Sequence, residues 1–160
     1  MSQTHQPLTL ILKSELFVDE GGNMSKTTLG FILAGFIYLG LGILLGILFL
    51  IIPDLRPLRT VHVHLNLVGF MLFVVFGIAY HILPRFRGRP LHSESLAWFQ
   101  LWLANVGIVG LAIFMGIGVY TNIPAIITVQ AVFGVILAVA VYIFIYNMGR
   151  TLFGAAPKES

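Results

Sequence analysis

Arg59-Thr60-Val61-His62-Val63-His64-Leu65-Asn66-Leu67-Val68-Gly69-Phe70 opens the apolar run that decides the fold. From Val61 the run reaches Leu83 without an Asp, Glu, Lys or Arg, and it stops at Pro84-Arg85. At about 1.5 Å per residue such a helix crosses the roughly 30 Å hydrocarbon core of a bilayer. Backbone polar groups must pair within the segment in lipid, and no barrel-like alternation runs through it, so the stretch reads as a transmembrane helix.

Three similar runs surround it. The first covers about 27–52 and ends at Pro53, the third about 95–120, and the fourth about 124–147 with Pro124 in its first turn. The composition agrees: 58% hydrophobic, 9% charged and a mean hydropathy of +0.98. The expected fold is therefore all-α, a four-transmembrane-helix bundle over 27–148. Residues 1–26 form a polar or interfacial segment and 149–160 a tail. Pro7–Val18 is too short and, with Lys13 and Glu15, too charged to span, and suits an interface. The stretch lacks the basic start and cleavage site of a signal peptide, and translation from Met24 is an alternative to Met1.

The absence of cysteine excludes disulfides, thiolate metal sites, iron–sulfur clusters and covalent heme attachment. A net charge of +3 gives no reason to expect nucleic acid as a partner. Lys13, Lys26, Arg85, Arg87, Arg89, Arg150 and Lys158 fall on one side of a four-span topology, with only Arg56 and Arg59 on the other. By the positive-inside rule both termini and the 84–94 loop are cytoplasmic, in a bacterial or archaeal plasma membrane, and His62 and His64 lie near the outer face. The arginine cluster suits anionic lipid as well as topology.

Ionisable residues inside spans are expensive to bury and usually functional. At helical spacing His62, Asn66, Gly69, Phe73, Gly77 and Tyr80 share one stripe, polar, small and aromatic. His64 projects to the opposite side with Val68, Met71 and Val75. The His62 stripe should face protein or a cofactor and the His64 side lipid or another copy, and an imidazole beside glycines is what a planar macrocycle needs. Arg59 and Arg56 are placed to pair with heme carboxylates. A copper or zinc ion on His62 and His64 is the alternative, as is a purely structural histidine. Histidines at i and i+2 diverge on a straight helix, so a shared ion needs a locally unwound start.

These residues resemble a family. Arg59-Thr-Val-His62, the aromatic helix after it and its ending Tyr80-His-Ile-Leu-Pro84-Arg85 look like the second helix of the heme-copper oxidase catalytic subunit. The nearest branches are the C-type oxidases and the nitric oxide reductases. Gly88-Arg-Pro and Leu96-Ala-Trp98-Phe are similar to the loop and third-helix start there, so the likeness covers about residues 55–118. It implies that His62 is an axial ligand of a b-type heme. It also implies electron transfer, or the handling or sensing of a diatomic gas such as NO or O2.

The departures bound that reading. The family's catalytic subunit carries further spans and further histidines for a binuclear centre. Here only His5 and His92 remain outside the second helix, so this chain is not expected to be a catalytic oxidase by itself. Met115 is a candidate sixth ligand, and His62 or His64 of a second copy is another; the protein is expected to act as a homo-oligomer or with a respiratory-chain partner. A heme-free structural or assembly subunit is the competing class. His81 with Gln100, Tyr142 and Tyr146 is a candidate polar cluster for a quinone head group, although interfacial aromatics explain both tyrosines. Small residues give packing faces at Gly35, Gly42 and Gly46 on the first helix and at Ala131, Gly134 and Ala138 on the fourth.

Overall fold

Ser25 starts the first helix, its Oγ accepting from Thr28 N at 3.2 Å, and helix α1 then runs Lys26–Ile51 until Pro53 stops it. The computed structural model describes residues 24–154. The expectations placed on residues 1–23, an interfacial stretch and a translation start at Met24 as an alternative to Met1, lie outside the described residues, as does the tail beyond 154.

A tight turn of 3-10 helix, Pro53–Leu58, leads without a break into α2, residues 59–87. This helix is α over Arg59–His64, widens to a π-helix over Leu65–Leu72, and is α again over Phe73–Arg87. Helices α3 (Glu94–Gly118) and α4 (Pro124–Phe153) complete the bundle. All four spanning segments are long and apolar enough to cross a membrane, as expected from the composition.

The ends differ from expectation in two places. Pro84 does not end α2: its fixed φ suits a helix, and in lipid a lost backbone bond is tolerated where neighbours compensate. Termination falls instead at Gly88, which takes the left-handed φ of 64° while Arg89 N closes onto Pro84 O at 3.0 Å. Helix α4 runs on past 147 to Phe153, because the polar residues that end its apolar run belong to a helical extension. Asn147 and Thr151 there are buried against the 88–93 loop.

Helix α1 packs along α2, and α3 along α4. Gly35 faces Val74 and Phe73, Gly42 faces Asn66, and Gly46 faces His62, so the expected small face of α1 is the α1–α2 contact. The expected face on α4 is not used. Ala131 and Ala138 are exposed, and a Cβ on Gly134 would meet nothing within 4 Å. The small residues of the second contact lie on α3 instead. A Cβ on Gly107 would stand 2.9 Å from the backbone of Leu137, and Gly110 lies under the Phe133 ring.

The two halves join through an aromatic core in which Phe31, Phe73 and Phe76 are almost fully buried. Phe31 meets Phe73 edge-on at 5.5 Å, and Phe76 meets Phe144 of α4 at 4.4 Å. One polar contact crosses mid-bundle: Tyr38 OH donates to Asn105 Oδ1 at 2.6 Å, and Asn105 Nδ2 returns to Leu101 O at 2.8 Å. Side-chain bonds between membrane helices contribute roughly 1 kcal/mol, since the separated helices find other partners. Tyr38→Phe should therefore lower stability by about 1 kcal/mol in a denaturant titration of the detergent-solubilised protein, with no change in helical content.

Candidate functional site

Position 62 sits one turn before the π segment. Two physical causes for that widening can be separated. Asn66 Nδ2 donates to His62 O at 2.8 Å, occupying the carbonyl to which the Asn66 backbone N–H would otherwise donate. Asn105 makes the same contact with Leu101 O while α3 remains α-helical, so that bond alone is insufficient. The second cause is the spacing of what must be buried. Val61, Leu65, Gly69 and Phe73 recur every four residues, whereas the buried face of α3 alternates threes and fours. A helix wider than 3.6 residues per turn keeps the first pattern on one side.

The result turns the His62 ring onto α1. Its Nδ1 lies 2.8 Å from Gly42 O, its edge meets Phe49 at 5.6 Å between centroids, and a Cβ on Gly46 would come to 3.0 Å from its Cε1. A carbonyl only accepts, so Nδ1 carries the proton and Nε2 keeps its lone pair. That is the arrangement by which a backbone carbonyl orients a metal-ligating imidazole. Gly42 serves twice, lending its carbonyl to His62 and its missing side chain to the Asn66 amide.

His64 points away, as i and i+2 positions do. Its Nδ1 bonds to Thr60 O of its own turn at 2.9 Å. Residues 59–64 are regular α-helix, so the two imidazoles do not converge on one ion within the chain. Among the described residues no group of three or more His, Cys, Asp or Glu side chains is placed to hold a metal.

Other site expectations resolve differently. Gly69 does not leave room for a macrocycle: Tyr38 fills it, with Cγ 2.7 Å from where a Cβ would stand. Phe73 is wholly buried between Phe31 and Tyr38 and has no surface for a cofactor. Asn66 holds the backbone of its own helix. Met115 lines a cavity of about 560 Å³ with Thr60 and Gln130, on the side of α2 facing α3 and α4. The His62 ring leaves the opposite side toward α1, so Met115 is not placed as its sixth ligand. Arg56 and Arg59 are both exposed at the His62 end.

At the other end the expected cluster around His81 does not form. His81 Nε2 accepts from Arg85 Nη1 at 2.8 Å, Tyr142 and Tyr146 are exposed, and Tyr146 meets His92 edge-on. Gln100 is fully buried and accepts from Tyr80 OH at 2.6 Å, while its Nε2 has no partner among the described residues. Asn147, unnoticed in the sequence, clamps the start of α3 by bonding Ser93 N and Ser93 O at 3.1 and 2.8 Å. An amide in an otherwise apolar helix, opposite a Ser-Glu helix start, was the available signal.

The geometry at His62 thus leaves the Nε2 lone pair uncommitted, and among the described residues His64 does not turn toward it. The model of the family described as Cytochrome C and Quinol oxidase polypeptide I matches residues 26–159, spanning all four helices. No curated protein and no solved structure matches the chain. With the match extending well beyond the residues that first carried the resemblance, this four-helix integral membrane protein belongs to the cytochrome c and quinol oxidase polypeptide I family.

Proposed function

We propose that the protein holds one b-type heme at the Arg56–Arg59 end of the bundle, with His62 Nε2 as an axial ligand. The observation that carries this reading is the Nδ1–H···O=C bond to Gly42. It fixes the ring and selects the tautomer with Nε2 available. Arg59 and Arg56 lie at the same end, where carboxylates of a bound heme would meet them at the water boundary. Such a heme would supply one-electron transfer or diatomic-gas chemistry, while the chain contributes the ligand, its orientation and exclusion of water.

Gly69 and Gly77 are taken up by α1, so the macrocycle would lie on the outer edge of the α1–α2 contact. Its other face would be covered by a second copy or a respiratory-chain partner, which also offers the sixth ligand. In this reading both termini face the cytoplasm, following the basic residues.

The filled glycines favour a second reading, a heme-free subunit packed in a larger respiratory complex with His62 as a satisfied polar residue. Absorption of the purified protein separates the two. The heme reading expects a Soret band that disappears in His62→Ala and persists in His64→Ala. A colourless wild-type protein, prepared with heme supplied, would refute it, and co-purification with a large complex would favour the other.

A further inference from the structure

At the His62 end, the start of α2, the end of α3 and the start of α4 enclose the cavity of about 560 Å³ that Met115 lines. It lies on the side of α2 away from the His62 ring, and its size is within the roughly 300–1,000 Å³ of small-molecule sites. What lines it narrows the chemistry. No lining side chain is ionisable, so a charged group would enter without a counter-charge in a medium of low dielectric. None is aromatic, so a planar ring would find no stacking surface. Buried Ile126 and half-buried Met115 give an apolar wall, and Ile123 and Ile127 stand exposed at the rim, where the helix surface meets lipid. A neutral aliphatic body fits such walls.

One polar group among them is built in place. Gln130 Nε2 donates to Phe114 O at 2.9 Å. A carbonyl only accepts, so the amide terminus turned to α3 is the NH2 group and the orientation of the amide is settled. Gly118 permits this approach, since a Cβ there would stand 2.6 Å from Nε2. Phe114 and Phe133 stack at 5.5 Å and hold α3 against α4. The amide is therefore fixed before any ligand arrives, and less freedom is lost on binding. Its nitrogen is used and its oxygen is not. Among the described residues nothing donates to Gln130 Oε1, although Thr60 and Asn122 line the same cavity. A polar side chain in a span is costly, and the tie to Phe114 accounts for only one end of this one. A fixed acceptor in an uncharged aliphatic cavity at the lipid boundary matches a hydroxyl carried on an apolar chain.

We propose that this cavity binds a neutral lipid alcohol, its hydroxyl donating to Gln130 Oε1 and its chain lying against Met115 and Ile126. The site is independent of the heme reading. The shared chemistry is a free hydroxyl on an aliphatic body, and its source is either a glycerolipid or a single-chain alcohol.

The test uses the full-length protein in mild detergent, photolabelled with a long-chain alcohol bearing a diazirine and read by mass spectrometry of the labelled residues. Label should fall at Thr60 or within 115–130. At equal mole fraction in the detergent, 1-decanol should displace it about fivefold better than decyl methyl ether, which keeps the chain and loses the donor. Gln130→Leu should erase that difference, and Gly118→Ala, whose methyl group displaces the amide, should reduce it. Displacement by dioleoylglycerol assigns a glycerolipid, and its failure to displace assigns a single-chain alcohol. Equal displacement by alcohol and ether in the wild type would overturn the proposal, leaving an apolar cleft whose amide oxygen is served by water. Label spread evenly along the lipid-facing sides of all four helices, or a preference for the alcohol retained in Gln130→Leu, would overturn it as well. Should Gln130→Leu lose helical content, the wild-type comparison of alcohol with ether decides by itself, because it needs no variant.

Discussion

Gly107→Val is expected to be the most damaging single substitution in the bundle, lowering stability by about 3 kcal/mol and separating α3 from α4. Many glycines here lie against a neighbour, and the size of the effect depends on what that neighbour is. Gly110 faces the ring of Phe133 and Gly30 a terminal carbon of Leu101, side-chain atoms that can turn aside. A Cβ at Gly107 would instead stand 2.9 Å from N, Cα and Cβ of Leu137, which can give way only if α4 moves. In lipid, helix association rests on this close approach, because lipid chains solvate an exposed apolar face as well as another helix does. Gly40→Val and Gly134→Val, where nothing lies within 4 Å, should stay within about 0.5 kcal/mol of wild type. Unfolding in detergent by denaturant titration measures all three. A Gly107→Val protein as stable as the controls would mean that α3 and α4 do not pack as described.

The contrast between Gly107 and Gly134 also shows where the sequence was legible. Span number, approximate limits and the apolar stripe of α2 follow from hydropathy and period, since lipid removes every alternative to helix. Of the stripe His62, Asn66, Gly69, Phe73, Gly77 and Tyr80, the last four are buried and the first two half-buried. Which small residues touch was not legible, because Ala131-x-x-Gly134 and Gly107-x-x-Gly110 look alike until the partner helix is placed. The π segment was hidden for a related reason. Its cue, burial at every fourth position from Val61 to Phe73, appears only once the buried side is known. Polar residues were misjudged where they serve structure. Asn147 and the arginines at 87 and 89 hold the last turn of α4 to the 84–94 loop, a capping role that a charge count records only as topology.

Around His62 the neighbours differ from what the sequence led one to expect. Asn66, Gly69 and Phe73 lie on the same stripe as His62, yet they build the seat and leave no slot. Orientation of the ring comes from α1, through a backbone carbonyl that carries no sequence identity. The only trace of that carbonyl in the sequence is the glycine that lets α2 come near enough to use it.

That glycine supports the second large effect. Gly42→Ala should lower stability by about 2 kcal/mol and, where heme is bound, abolish most of the Soret absorbance. A Cβ there would lie within 2.8 Å of Asn66 Cγ, between the two groups that set the His62 ring. Relief comes either from turning the Asn66 amide off its 2.8 Å bond to His62 O or from a retreat of α2, which lengthens the 2.8 Å bond from His62 Nδ1 to Gly42 O; both loosen the seat of the ring. Asn66→Ala alone should have a smaller effect, about 1 kcal/mol, from loss of its bond to His62 O. The double variant is the decisive measurement, because removing the amide makes room for the new methyl group. If the close approach of Gly42 and Asn66 is what positions His62, the combined loss falls well short of the sum, with a coupling of at least about 1 kcal/mol. Soret absorbance should then partly return, since the carbonyl is again within reach of Nδ1. Strictly additive losses would show that Gly42 and Asn66 act separately, and that the imidazole is held by something other than this contact.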